Sequence, residues 1–194
     1  MGLGLLKAEI KRYNDIKILK KNNKGLLIGK KFITKNPQYI KCGENVVIGD
    51  NSKLLCWDSY QGQRNEKEPE IRIGNNFNAT RGLTIQAVNK VTIGNNVLIA
   101  SDVFIIDYNH GINPLLESYL NQPLGPCGGG VLIDDGVWIG NNAVILPDVH
   151  IGEKSIIGAG AIVTRDIPAY SIAVGNPAKV IKKYNFEQGN WKNI

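Results

Sequence analysis

VLIDDGVWIGNNAVILPDVHIGEKSIIGAGAIVTRD, residues 131–166, decides the fold: Ile133, Ile139, Ile145, Ile151, Ile157 and Val163 stand six residues apart without a slip. Glycine follows three of these beats, as Gly140, Gly152 and Gly158, and a small or β-branched residue precedes most of them by two (Val137, Ala143, Val149, Ser155, Ala161). An α-helix would repeat near 3.6 residues and an isolated half-buried strand near 2, so a period of six fits neither and points to a solenoid of short strands and corners. Outward from this stretch the phase persists in Ile73, Ala79 and Ile85, in Ile93, Ile99 and Ile105, and earlier in Cys42, Ile48 and Leu54. Three hexads make one triangular coil, and Gly-Asn-Asn runs (74–76, 94–96, 140–142) sit where the chain must turn, often at positive φ. One coil cannot bury its inner face alone, so stability must come from stacking.

Two interruptions break the beat. Residues 57–70 are polar and aromatic and have no place in the hexad register; residues from about 111 to 130 include Pro114, Pro123, Pro126 and the triplet Gly128-Gly129-Gly130. Both are expected to loop out, and long irregular loops in compact domains are commonly functional. The second begins directly after His110, in Asp107-Tyr108-Asn109-His110-Gly111. A histidine, whose ordinary pKa is near neutrality, suits removal of a proton from a hydroxyl. Asp107 is close enough in sequence to support it, although residues three apart share a face only if the chain bends there. Asn109 could donate to an acceptor hydroxyl. If the second loop leaves the coil whole, counting puts His150 in the same column as His110, one strand spacing away.

Length and composition set the frame. The 194 residues suit one domain, with 43% hydrophobic residues to supply its core. No apolar run is long enough to span a bilayer and Met1–Leu6 is too short for a secretory core, which makes cytoplasm the default expectation. Cys42, Cys56 and Cys127 lack metal-type spacing, and no metal site is expected; Cys42 falls on a beat, and Cys127 lies in the Gly/Pro-rich loop. The net charge of +6 is uneven: residues 1–41 carry eleven Lys or Arg against two acids. Lys7, Lys11, Arg12, Lys20, Lys21 and Lys24 interleave with Leu5, Leu6, Ile10, Tyr13, Ile16 and Leu19. This segment either meets an anionic membrane or lipid-linked sugar, or lays its apolar side over the open end of the solenoid. No nucleic-acid reader motif accompanies the charge.

On these repeats, and on the runs Ile157–Pro168 and Gly175-Asn176-Pro177-Ala178-Lys179-Val180-Ile181-Lys182, the chain resembles the hexapeptide-repeat acyltransferases, within them the galactoside, maltose and capsular-sugar O-acetyltransferase group. The resemblance implies an all-β fold, a left-handed parallel β-helix over residues 41–182 with an extruded loop at about 111–130, a basic N-terminal cap over 1–40 and a tail over 183–194. It also implies a homotrimer that transfers an acetyl group from acetyl-CoA to a saccharide hydroxyl, with His110 as general base. Thr80 stands by ungapped count where the galactoside group carries an acceptor-contacting asparagine, with Asn78 two before it. On the donor side the resemblance assigns Ala159 to the pantetheine groove, Arg165, Lys179 and Lys182 to the phosphates, and Trp138 and Asn141 to further contacts, the Asn141 amide as a candidate oxyanion donor. A streptogramin-type or other small-molecule acetyltransferase of the same build remains an alternative, as does a non-catalytic binding scaffold. A β-helix carbonic anhydrase needs three histidine ligands, and this chain has two histidines.

Overall fold

Every beat read from the sequence from Ile48 onward points into one continuous core. A computed structural model describes residues 3–116, 118–126 and 128–194, so Cys127 lies outside the described residues. The beats sort onto three parallel sheets. The first face aligns Ile48, Ala79, Ile99, Ile139, Ile157 and Ala173. The second aligns Leu54, Ile85, Ile105, Ile145 and Val163, and the third Ile73, Ile93, Ile133 and Ile151. These side chains are at most 1% exposed. Full burial of an isoleucine stabilises by about 1.5–3 kcal/mol, which explains why the repeat tolerates so little but Ile, Val, Leu and Ala at the beat. Cys42 is only half-buried; it packs at the core's edge, where burial pushes its thiol up to about 12.

The corners follow from the Gly-Asn-Asn runs. Asn76, Asn96 and Asn142 adopt left-handed backbone with φ of 54°, 55° and 57°, a conformation asparagine accepts more readily than most residues. At one corner such side chains also stack from coil to coil: Asn45 Nδ2 donates to Asn76 Oδ1 at 3.0 Å, and Asn76 Nδ2 to Asn96 Oδ1 at 3.2 Å. Gly74 is required by close approach, since a Cβ there would stand 2.6 Å from the carbonyl carbon of Gly94 on the next coil.

The all-β expectation holds for the coils but not for the N-terminal segment, where Leu3–Asn22 forms helix α1. Residues 5–22 contain no Gly or Pro and are rich in Leu, Lys and Ile, so helix propensity is unopposed until Gly25, at φ +81°. Lys20 and Lys21 in the last turn favour the helix dipole. The helix does cover the open end of the stack: Leu19 is wholly buried, and Asn23 donates to the Leu19 and Ile40 carbonyls and accepts from the Cys42 amide. The parallel ladder begins at Leu27, inside the segment expected as a separate cap, with Leu27–Ile28 pairing Val47–Asp50. The tail is likewise ordered, as Lys179–Asn185 and Asn190–Asn193 extend the first face antiparallel and carry a cluster of Tyr170, Tyr184, Phe186 and Trp191.

Both interruptions leave the stack as hairpins. Ser59–Tyr60 pairs Gln63–Arg64 around Gln61 and Gly62, both at positive φ, the twist a two-residue hairpin turn requires. Tyr108–His110 pairs Leu124–Pro126. The second excursion therefore starts at Tyr108, ahead of the expected Gly111.

Candidate active site

His110 ends the strand Tyr108–His110 just outside the corner between the second and third faces, and its side chain is exposed. The hairpin that bears it is tied down at several points. Within its loop, Gln122 is buried and exchanges hydrogen bonds of 2.9 Å with the backbone N–H and carbonyl of Asn113. At its base, Tyr108 donates through its hydroxyl to Gln86 Oε1 at 2.7 Å, and burial pushes that phenol up to about 12. The same Gln86 oxygen accepts from Trp57 Nε1 at 3.3 Å. One glutamine on the second face thus fastens both interruptions to the solenoid.

The two interruptions also meet each other. The Tyr60 ring sits edge-on to the His110 imidazole with centroids 5.1 Å apart, and its hydroxyl donates to the Leu120 carbonyl at 2.9 Å. Tyr60 was not singled out by sequence reasoning; the signal was its place in an aromatic, off-register run. Lys35 stacks on Trp57, with Nζ 3.4 Å from the ring centroid, and desolvation lowers its pKa.

Asp107 is placed differently from expectation. Its carboxylate is fully buried and accepts the backbone N–H groups of Val88 at 2.8 Å and Asn89 at 3.0 Å. It therefore braces the preceding coil at the point where the hairpin departs, and no hydrogen bond joins it to His110 among the described residues. Burial raises its pKa despite those amides. His150 does not share a column with His110: it pairs with Leu132 on the third face, because the chain carrying His110 has left the ladder there. Its Nε2 lies 2.8 Å from Asp134 Oδ2, so among the described residues His110 has the imidazole without a hydrogen-bond partner.

The remaining candidates fall into two groups at opposite ends of the second face. Arg165 stands beyond Val163 at the same corner as Asp107, Asn109 and His110. Asn141 and Ala159 stack on successive coils at the other corner, linked by the Gly160 amide donating to the Asn141 carbonyl at 2.7 Å. Asn141 Oδ1 accepts the Ser101 amide at 3.0 Å, and Ser101 in turn lies 2.9 Å from Thr80, hydroxyl to hydroxyl. From this corner an outward row crosses the first face through Asn78, Leu98, Trp138, Ile156, Ile172 and Lys182. Trp138 is 48% exposed, and Lys179 lies on the same strand as Lys182. From Leu98 onward the row runs from apolar to cationic, which fits a long apolar arm ending in phosphates. The two groups are separated by one hexad, at most ~20 Å of extended chain. A single chain does not bring them together.

Comparisons with known proteins bear on the fold and the family. Residues 130–165 match the family model described as bacterial transferase hexapeptide (six repeats). The galactoside O-acetyltransferase of Escherichia coli K12 is 44% identical over 115 residues, covering 59% of this chain and 55% of that protein. The galactoside O-acetyltransferase of Lactococcus lactis is 30% identical over 178 residues, covering 89% of this chain and 82% of its own. Among solved structures, a galactoside acetyltransferase in complex with coenzyme A superposes with a TM-score of 0.52 at 27% identity, covering 97% of this chain and 86% of that one. The chain thus spans about half the length of the first relative and most of the second.

Proposed function

The chain belongs to the hexapeptide-repeat acetyltransferase family, and from that premise we propose that it transfers the acetyl group of acetyl-CoA to a hydroxyl of a saccharide, in the making of a cell-surface or capsular polysaccharide. The observation that carries this reading is the exposed imidazole of His110, without a hydrogen-bond partner among the described residues, at the meeting point of the two hairpins. His110 takes the proton of the acceptor hydroxyl as its oxygen attacks the thioester carbonyl. The new C–O ester bond forms, the C–S bond breaks, and the proton passes from the imidazolium to the leaving thiolate. The Asn141 amide is the candidate donor to the carbonyl oxygen as charge develops on it. Trp138, Ala159, Lys179 and Lys182 hold the donor, Arg165 adds a cation near its phosphates, and Asn78, Thr80 and Asn109 meet the acceptor.

The separation of the two groups supports a homotrimer, in which the His110 corner of one chain faces the Asn141 corner of the next around a three-fold axis. The exposed Leu98 and Trp138, and Ile112 and Leu115 at 81% and 91% exposure on the extruded loop, are apolar surface available for such contacts. Sedimentation should give the mass of three chains. Thiol release from acetyl-CoA against a saccharide panel tests the chemistry: His110→Ala should lower it by about 10²- to 10⁴-fold. Saccharide-dependent release unaffected by that change would remove His110 from the mechanism, and release only with xenobiotic acceptors would favour the small-molecule alternative.

Helix α1 supports a peripheral location. No helix among the described residues is long and apolar enough to cross a membrane. One side of α1 covers the stack, while Leu6, Ile10 and Tyr13, 53%, 53% and 69% exposed, follow each other along another side that continues into Lys17, Lys20 and Lys21. Such a stripe suits shallow contact with anionic headgroups, next to lipid-linked acceptors.

A further inference from the structure

The two hairpins enclose a cavity of about 330 Å³ beside the reacting group. Tyr60 forms one wall, Val88 and Leu124 give it an apolar floor, and Arg64 and Lys67 stand on its rim. Neither cation has an ion-pair partner among the described residues, and Glu66 is the one acid of the lining. Tyr60 is shared, since the ring that lines the cavity is the ring that meets His110.

We propose that this cavity is a subsite for an anionic substituent, a carboxylate or phosphate, carried by the acceptor next to the sugar that is acetylated. The inference rests on the acceptor reading above and adds the acceptor's charge. The volume lies at the small end of ligand sites, enough for a sugar unit but not for a coenzyme. The apolar faces of a sugar ring suit Tyr60 and the Val88–Leu124 floor. The planar guanidinium of Arg64 matches a carboxylate or phosphate in two parallel hydrogen bonds, and Lys67 adds a point charge. Apolar walls on one side reduce screening, so two cations there count for more than on open surface. Because Tyr60 both lines the cavity and meets the His110 imidazole edge-on, centroids 5.1 Å apart, an anion held by Arg64 and Lys67 would leave the neighbouring sugar on the His110 side.

The test compares wild type with the double variant Arg64→Gln, Lys67→Gln, both changes at exposed positions. Thiol release is measured with three matched acceptors: a neutral glucoside, the corresponding glucuronide and a glucose phosphate. Wild type should prefer an anionic acceptor by about tenfold or more in kcat/KM, and the variant should lose that preference while keeping its rate on the neutral glucoside and its KM for acetyl-CoA. A preference for glucuronide alone or phosphate alone identifies the anion's source. Equal use of charged and neutral acceptors by wild type overturns the proposal, as does a variant that loses both alike. A raised KM for acetyl-CoA would reassign the cations to the donor and also overturn it. Should no acceptor give thiol release, the acetyltransfer reading fails on its own. Calorimetric binding of glucuronide over glucoside then decides the subsite: selective binding lost in the variant supports it, and no selectivity refutes it.

Discussion

Replacing Asp107 separates bracing from catalysis. Its buried carboxylate accepts two backbone amides, from Val88 and Asn89, at the corner from which the His110 hairpin departs. Asp107→Ala removes the acceptor of both amides, the Val88 one buried and the Asn89 one part-buried; at about 1–3 kcal/mol for a buried donor and less for one that water can reach, the loss is about 1–4 kcal/mol, a large share of the stability of a domain this size. Asp107→Asn keeps one acceptor oxygen and should cost about half of that. Denaturant titration reads the stability, and thiol release under conditions where each variant remains folded reads the activity. The pH dependence supplies an independent sign. Burial raises the folded pKa above the ordinary range of an aspartate, so the folded state holds the proton more tightly, and the contribution of this group is most favourable below the unfolded pKa and is lost as pH rises through the folded one. That slope should vanish in Asp107→Asn. A variant with wild-type stability and a purely catalytic defect would refute the bracing role and return Asp107 to a partnership with His110.

Three further outcomes are expected. Ile139→Ala, at a wholly buried beat, should destabilise by about 2–5 kcal/mol in thermal or chemical unfolding. Gly74→Ala must push apart two coils that approach to 2.6 Å of the added Cβ and should cost about 1–3 kcal/mol, whereas Gly4→Ala, with open space around it, should cost nothing measurable by the same titration. The protein should sediment with anionic phosphatidylglycerol vesicles and not with neutral phosphatidylcholine ones, and Leu6→Glu with Tyr13→Glu should abolish that binding; equal binding to both vesicle types would count against the helix stripe.

The hexad beat was fully legible because each coil repeats the same packing problem, so position in the period determines burial. The same regularity made the interruptions visible and put His110 at the edge of one of them. What lay outside the repeat was legible only as composition. The Leu, Lys and Ile of residues 3–22 could cover the stack or face a membrane; the helix shows that Leu19 does the first, and it leaves Leu6, Ile10 and Tyr13 free for the second. The partnership of Asp107 with Val88 and Asn89 spans almost a whole coil in sequence, and the contact of Tyr60 with His110 joins two segments with no period to align them. Linear spacing could not have found either. Nor could it tell where the second excursion leaves the stack, and so that Asn141 and His110 stand at opposite ends of one face.

The stack is also a ruler. Each coil advances the chain by about 4.8 Å, and the beats between Ile105 and Ala173 hold that graduation rigidly. The corner from which the His110 hairpin departs and the strand that carries Lys179 and Lys182 are therefore spaced along the axis by coils, and the chain can lengthen or shorten that interval only in steps. Inserting an 18-residue coil after Ile151 would move Lys179 and Lys182 by one graduation while leaving His110 and its hairpins untouched, a change in reach without a change in chemistry.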